Sequence, residues 1–236
     1  MLTHIFLQAR FNSQRLPGKI LKKICGKTIL ELILERVQKV KLVDKIVLVT
    51  GDVKKNKLLI EEAKRLNIEI FVGSEENILD RLYEASEKFN SEYIIRITGD
   101  NPLIDYALIN LGMDYFLKNN YDLLIMDKKT FPLGLNFEII KKSVLDANWK
   151  EQYNSFLDKI KFNDCFIPLN YNTDVNKKFK KYNFSYSKDL SNTRLTLDYE
   201  EDFLFISKIF NTLYSMNPLF NLNDILDFLK IKNNFD

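Results

Sequence analysis

Short apolar runs alternate with amphipathic stretches through the first half of the chain. Residues 4–9, 45–50, 68–72, 92–98 and 121–125 are dense in Ile, Leu, Val and aromatic side chains. That is the pattern of strands buried on both faces. Between them the apolar positions fall at helical spacing. Thr28, followed three residues on by Glu31, starts a helix with a capping box, and Ile29, Ile33, Val37 and Val40 then share one face. Further helices are expected from about 54 to 66 (Leu59, Ala63 and Leu66 inward), around Ile78, Leu82, Ala85 and Phe89, and from about 106 to 117. This alternation predicts βαβ units with right-handed crossovers: a three-layer, Rossmann-like α/β fold around a mostly parallel sheet. In such sheets ligands bind beyond the carboxyl ends of the strands, so the loops after Ala9, Thr50, Val72 and Thr98 are the places to look.

The rhythm changes after about residue 127. Residues 128–193 are rich in Lys, Asn and aromatics, among them Phe131, Phe137, Trp149, Phe162, Phe166, Tyr171, Tyr182, Phe184 and Tyr186. With no repeat and no Gly/Ser linker, this stretch reads as an excursion from a single domain spanning 1–236. It is expected either to cover an acceptor and build a dimer interface or to fill the second half of the core. Thr193–Leu197 reads as a returning strand, followed by a helix from about 200 to 213, a break at Pro218 and a last helix over about 222–230.

Composition narrows the chemistry. The 236 residues are 46% hydrophobic and 28% charged, enough for a real core. The net charge of +3 is too small for a general nucleic-acid binder, and no segment approaches the length of a membrane span. No signal peptide opens the chain, so a cytoplasmic location is expected. Two cysteines give neither a disulfide framework nor zinc spacing. The one histidine, His4, lies in an apolar stretch at the N-terminus and would have to be the base of any Ser-His-Asp triad, which argues against that chemistry. Any metal should be a hard cation held by carboxylates, magnesium above all.

The most informative segment follows the first strand: Ala9-Arg10-Phe11-Asn12-Ser13-Gln14-Arg15-Leu16-Pro17-Gly18-Lys19. By charge alone it is a solvated basic turn. Placed at a strand's carboxyl end, Arg10, Arg15 and Lys19 suit a polyphosphate, with backbone N–H groups around Ser13 and Gly18 as added donors. It is neither a Walker P-loop nor the dinucleotide glycine fingerprint.

Leu7 through Leu21, with Arg15-Leu16-Pro17-Gly18-Lys19 at its centre, resembles the opening signature of the cytidylyltransferases that make CMP-activated sugars. The likeness is greatest to the branch of spore coat polysaccharide biosynthesis protein F, and next to 3-deoxy-manno-octulosonate cytidylyltransferases. It continues through 43–50, 73–85, 93–105 and 189–203. The resemblance implies a nucleotide-diphospho-sugar-transferase-like fold, CTP as co-substrate, magnesium, a small acidic acceptor and a homodimer. It assigns Ala9, Arg10, Ser13 and Lys19 to CTP, with Arg10, Arg15 and Lys19 on the triphosphate.

Asp100, directly after a strand in Thr98-Gly99-Asp100-Asn101-Pro102, and Asp198, in Arg194-Leu195-Thr196-Leu197-Asp198, are implied to hold magnesium. Asp105 reads as a helix N-cap, and Glu200, Glu201 and Asp202 as complements to a helix dipole. Ser74, Asn77 and Arg81 are either readers of base or ribose, by resemblance, or a helix start with Ser74 or Asn77 as cap and Arg81 on the surface. The pattern departs from the family's in the excursion. Asn136 in Gly134-Leu135-Asn136-Phe137-Glu138 stands where an acid is usual, and Phe162-Asn163-Asp164 where Arg-Glu-His is usual. These departures admit a phosphate or phosphonate acceptor, or a nucleotide-sugar-binding protein without turnover.

Overall fold

A computed structural model describes residues 1–156 and 177–233. Along the chain, β1 (Thr3–Gln8) leads through a loop and a single 3-10 turn (Lys19–Leu21) to a small antiparallel pair, β2 (Lys23–Ile24) and β3 (Lys27–Thr28). Then follow α1 (Ile29–Val37), β4 (Lys45–Thr50), α2 (Lys57–Arg65), β5 (Glu69–Val72), α3 (Ile78–Lys88), β6 (Tyr93–Thr98), α4 (Tyr106–Lys118) and β7 (Leu123–Met126). Beyond them come β8 (Phe137–Lys141), α5 (Lys142–Phe156), β9 (Lys181–Phe184), α6 (Glu200–Leu213) and α7 (Leu222–Asn233).

The main sheet has seven strands in the order β5-β4-β1-β6-β8-β7-β9. All neighbours run parallel except β8, which is antiparallel to both β6 and β7. The five strands expected in the first half of the chain and the six expected helices are present within a few residues of the expected ends. The small β2–β3 pair with its preceding 3-10 turn was not expected, nor were β8, α5 and β9.

The core follows from the apolar runs. Ile5 and Leu7 face one cluster and Phe6 the other, as strand alternation requires. In α1, Ile29, Leu30, Leu32, Ile33, Leu34 and Val37 are buried. At roughly 1.5–3 kcal/mol per buried side chain, this contact outweighs anything a nine-residue helix gains from propensity. Its capping box is half formed. Thr28 Oγ1 accepts from Glu31 N at 3.2 Å, but the Glu31 carboxylate takes Arg65 instead of returning to the cap. Asp105 caps α4 as expected, through Ala107 N at 2.8 Å, and its second oxygen accepts from Leu222 N at 2.9 Å.

Buried Arg36 joins the C-terminal segment to α1, donating to Ile104 O at 2.7 Å and to the carbonyls of Pro218 and Phe220. Burial lowers its pKa to about 10. Part of the aromatic excursion is core: Phe131, Phe137 and Phe184 are buried, with ring centroids 5.4 Å (Phe131–Phe184) and 6.2 Å (Phe137–Phe184) apart. Phe162, Asn163, Asp164, Phe166 and Tyr171 lie outside the described residues.

One strand expectation is corrected. Thr193–Leu197 is extended but makes a single bridge, Arg194 to Leu133, and is not a strand. Its hydrogen bonds are split between two loops: Leu195 N donates to Leu133 O at 2.6 Å, and Leu197 N to Asp100 O at 2.8 Å.

His4 is buried beside Ser91, with Nδ1 2.7 Å from the Ser91 hydroxyl. Burial lowers its pKa, so the folded chain resists a proton that the unfolded chain accepts below about pH 6.5. Stability is therefore expected to fall as pH drops from 7.5 to 5.5. In urea melts at those two pH values, His4→Asn should show a smaller drop than wild type; equal drops would refute the assignment.

Candidate active site

Lys19, Asp100 and Asp198 meet at the carboxyl rim of the sheet. Gly18, at φ +68°, turns the β1 loop into its 3-10 turn. Lys19 Nζ there donates to Leu197 O at 2.6 Å and to Asp198 Oδ1 at 3.0 Å, and lies 3.8 Å from Asp100 Oδ2. Arg15 reaches the same Asp198 oxygen at 2.9 Å. The two carboxylates, 98 positions apart in sequence (198 − 100), thus share one ammonium. A cation already stands between them, so the donor set fits a hard metal ion: two carboxylates facing one point of positive charge. Among the described residues no group of three or more His, Cys, Asp or Glu side chains could form a larger metal cage.

Close backbone approach sets this geometry. Gly99 N donates to Gln8 O at 2.8 Å, and a Cβ on Gly99 would lie 2.8 Å from the Ala9 Cβ. Ala9 is therefore buried packing under the Asp100 turn. The Thr98 hydroxyl donates to Asp100 Oδ1, fixing that carboxylate from behind.

Arg194, not singled out from the sequence, orders the other carboxylate. It donates to Asp202 at 2.8 and 2.9 Å and to Asp198 Oδ2 at 3.3 Å. Asp202 also accepts the backbone N–H groups of Asp198 (2.8 Å) and Tyr199 (2.9 Å), closing the start of α6. Burial pushes the Asp202 carboxyl up, but the Arg194 and backbone hydrogen bonds outweigh it and hold the pKa below the usual value. The ring of Tyr199 lies beneath both guanidiniums, 5.2 Å from Arg15 and 5.7 Å from Arg194. Arg15 has a raised pKa, from its hydrogen bond to Tyr199 first and the Asp198 charge second.

Arg10 goes elsewhere. Its Nη1 lies 3.4 Å from Glu75 O and 3.6 Å from a Glu75 carboxylate oxygen, in the loop before α3. Glu75 and Asn56 also escaped the sequence reading, and together they join three loops. Asn56 accepts Phe11 N at 2.8 Å and donates to Glu75 at 3.2 Å, while Glu75 accepts Asp52 N at 2.7 Å. A Cβ at Gly51 would collide with Glu75, so only glycine fits there.

Ser74 and Asn77 both serve the start of α3. Ser74 Oγ accepts Asn77 N at 2.9 Å, and Asn77 Oδ1 accepts Asp80 N at 3.0 Å. Arg81 is not on the surface: it is fully buried and donates to the carbonyls of Ser74 and Glu75. The amides around Ser13 and Gly18 are also placed otherwise than expected. Both donate to Phe11 O at 3.0 Å, because the loop folds back on itself there, and so they are not spare phosphate donors in this conformation.

A mostly parallel sheet whose carboxyl rim gathers cations and two carboxylates has the architecture of nucleotide-sugar-type transferases. Residues 4–222 match the cytidylyltransferase family, and the chain belongs to that family. Among solved structures, a cytidylyltransferase from Leptospira borgpetersenii superposes with a TM-score of 0.85 at 29% identity, covering 99% of this chain and 96% of that one. The uncharacterized protein MJ1063 of Methanocaldococcus jannaschii is 35% identical over 94% of this chain and 88% of its own length. Spore coat polysaccharide biosynthesis protein SpsF of Bacillus subtilis is 30% identical over 59% of each chain. A 3-deoxy-manno-octulosonate cytidylyltransferase of Geobacter metallireducens is 33% identical over 44% of this chain and 40% of its own. Among the described residues no helix is long and apolar enough to cross a membrane.

Proposed function

We propose that this chain transfers CMP from CTP to a sugar acid and releases pyrophosphate, as a cytoplasmic homodimer in surface-glycan synthesis. The observation that carries the reading is the convergence of Lys19 and Arg15 on Asp198, with Asp100 facing the same ammonium. The name of the 3-deoxy-manno-octulosonate enzymes points the acceptor toward acidic sugars, and that of SpsF points the pathway toward polysaccharide synthesis.

Asp100 and Asp198 would hold magnesium, which when bound neutralises phosphate-oxygen charge and acidifies a coordinated hydroxyl. Lys19 and Arg15 are freed to grip the triphosphate once Asp198 has another cation to satisfy it. Arg10, bridged to Glu75, closes the opposite side, with Ala9 and Ser13 lining the loop between them. The segment of Ser74, Asn77 and Arg81 presents its turn to base and ribose. An acceptor oxygen attacks the α-phosphorus in line, a P–O bond forms, the bond to the β-phosphate breaks, and pyrophosphate leaves. The hydroxyl proton passes to solvent. Catalysis here is positioning plus electrostatics, with no covalent work by the protein.

Pyrophosphate release is the direct check, with CTP, UTP, GTP or ATP against sugar acids, sugar phosphates and phosphonates in magnesium. Release is expected with CTP and a sugar acid and is expected to stop on chelation. Calorimetry showing no CTP binding would refute the reading.

A further inference from the structure

Behind the Asp100 turn, three polar side chains from adjacent strands meet on a largely apolar sheet face. Arg96 Nε donates to Gln8 Oε1 at 2.9 Å, and Arg96 Nη1 to Glu138 Oε2 at 3.0 Å. Arg96 and Glu138 are directly opposite in the β6–β8 register, and both side chains are nearly buried, at 12% and 11% exposure. Their neighbours on that face are Phe6, Ile94, Leu123 and Ile140. Stability does not account for the pair. Desolvating two charges roughly cancels their attraction, and an apolar pair of similar volume would hold the sheet as well or better.

Placement and unused valence point to a ligand. Gln8 and Arg96 sit toward the carboxyl ends of β1 and β6, where such sheets bind small molecules, and Glu138 lies beside them near the amino end of antiparallel β8. Thr98, which holds Asp100, is the next residue on the same face, about 7 Å along the strand from Arg96. Arg96 Nη2 and Glu138 Oε1 make no hydrogen bond within the described residues, yet neither atom is sealed from solvent. The pair therefore offers one donor edge and one acceptor oxygen side by side, with no net charge. Hydroxyl groups match that, since each both donates and accepts. A phosphate or phosphonate does not, because Glu138 would repel it.

We infer that Gln8, Arg96 and Glu138 form a subsite that reads the ring hydroxyls of a polyhydroxylated acceptor, and so select against phosphate and phosphonate acceptors. This rests on the proposed cytidylyl transfer for the identity of the reaction, not for the binding itself.

Binding is therefore the readout. Wild type, Glu138→Gln, Arg96→Lys and the apolar double variant Arg96→Met/Glu138→Leu are titrated calorimetrically with 3-deoxy-manno-octulosonate, gluconate, inorganic phosphate and phosphonoacetate. CTP affinity and CTP-dependent pyrophosphate release are followed in parallel. Wild type should bind at least one polyhydroxy acid more tightly than either phosphorus compound. Glu138→Gln and Arg96→Lys should weaken that binding on the order of ten- to a hundredfold, as expected for a lost charged hydrogen bond, with CTP affinity unchanged. The double variant should melt no lower than wild type and still lose the sugar acid, which a purely structural pair would not do. Preference for phosphate, no polyhydroxy-acid binding in wild type, or binding unchanged in the variants would overturn the inference. Intact hydroxy-acid binding without pyrophosphate release would overturn only the cytidylyl-transfer reading.

Discussion

Asp198→Asn is expected to cut CTP-dependent pyrophosphate release by roughly 10²–10³-fold, the loss typical of removing one preorganised electrostatic contact. Asp198 takes Lys19 and Arg15 on one oxygen and Arg194 on the other. An amide of the same shape preserves packing but returns no negative charge to the cations or to a metal. The fold should survive, because Arg194 keeps its paired contact with Asp202, and Lys19 keeps Leu197 O and the nearby Asp100. Metal-free CTP binding should hold or tighten, since Lys19 and Arg15 no longer have a carboxylate to leave. The loss therefore falls on kcat, with the melting temperature close to wild type. Glu200→Gln is the contrast: Glu200 pairs with Lys22 in the open at 2.8 Å, and exposed pairs contribute little. Turnover of Asp198→Asn within threefold of wild type would remove Asp198 from the chemistry.

What the sequence made legible follows from where its residues are buried. The strands expected in the first half were readable from near-continuous Ile, Leu and Val because β1, β4, β6 and β7 are largely covered on both faces; β5, at the sheet edge with Glu69 and Val72 exposed, is covered less. β8 is just as central, but Glu138 interrupts its apolar run to pair with Arg96, and its reversed direction breaks the strand–helix rhythm. β9 lies at the sheet edge and fully buries only Phe184, so Lys181-Tyr182-Asn183-Phe184 gave almost no periodic signal. Site residues at strand ends could be nominated because ligands gather there. Lys19 resting on a carboxylate 179 positions away could not be foreseen from spacing. Arg194 reaches Asp198 and Asp202 across a segment that is not helical, so no helix-spacing rule marks it. Asn56 sits in a lysine-rich stretch that reads as surface, yet it is fully buried between three loops.

Gly134→Ala is expected to destabilise the protein by roughly 2–5 kcal/mol, combining backbone strain with overpacking. Gly134 sits at φ +110°, which L side chains rarely adopt, and a Cβ there would collide with the backbone of Leu195 and Thr196. Main chain cannot rotate aside as a side chain does, so the segment itself must shift. That segment carries Asp198 and is tied by Leu195 N to Leu133 O and by Leu197 N to Asp100 O. Moving it disturbs both carboxylates at once, and a displacement of about 1 Å is enough to cost on the order of 10²-fold in rate. Gly134→Ala should therefore lose activity per folded molecule as well as stability, below its melting transition. Gly26→Ala separates strain from collision: Gly26 also has positive φ, at +78°, but nothing lies within 4 Å of its Cβ position. Urea melts should show only about 1 kcal/mol lost there, from strain alone, with turnover unchanged. Equal effects at the two glycines would mean that the 194–198 segment yields freely. Asp198 would then be held by its ion pairs alone and not by the backbone beneath it.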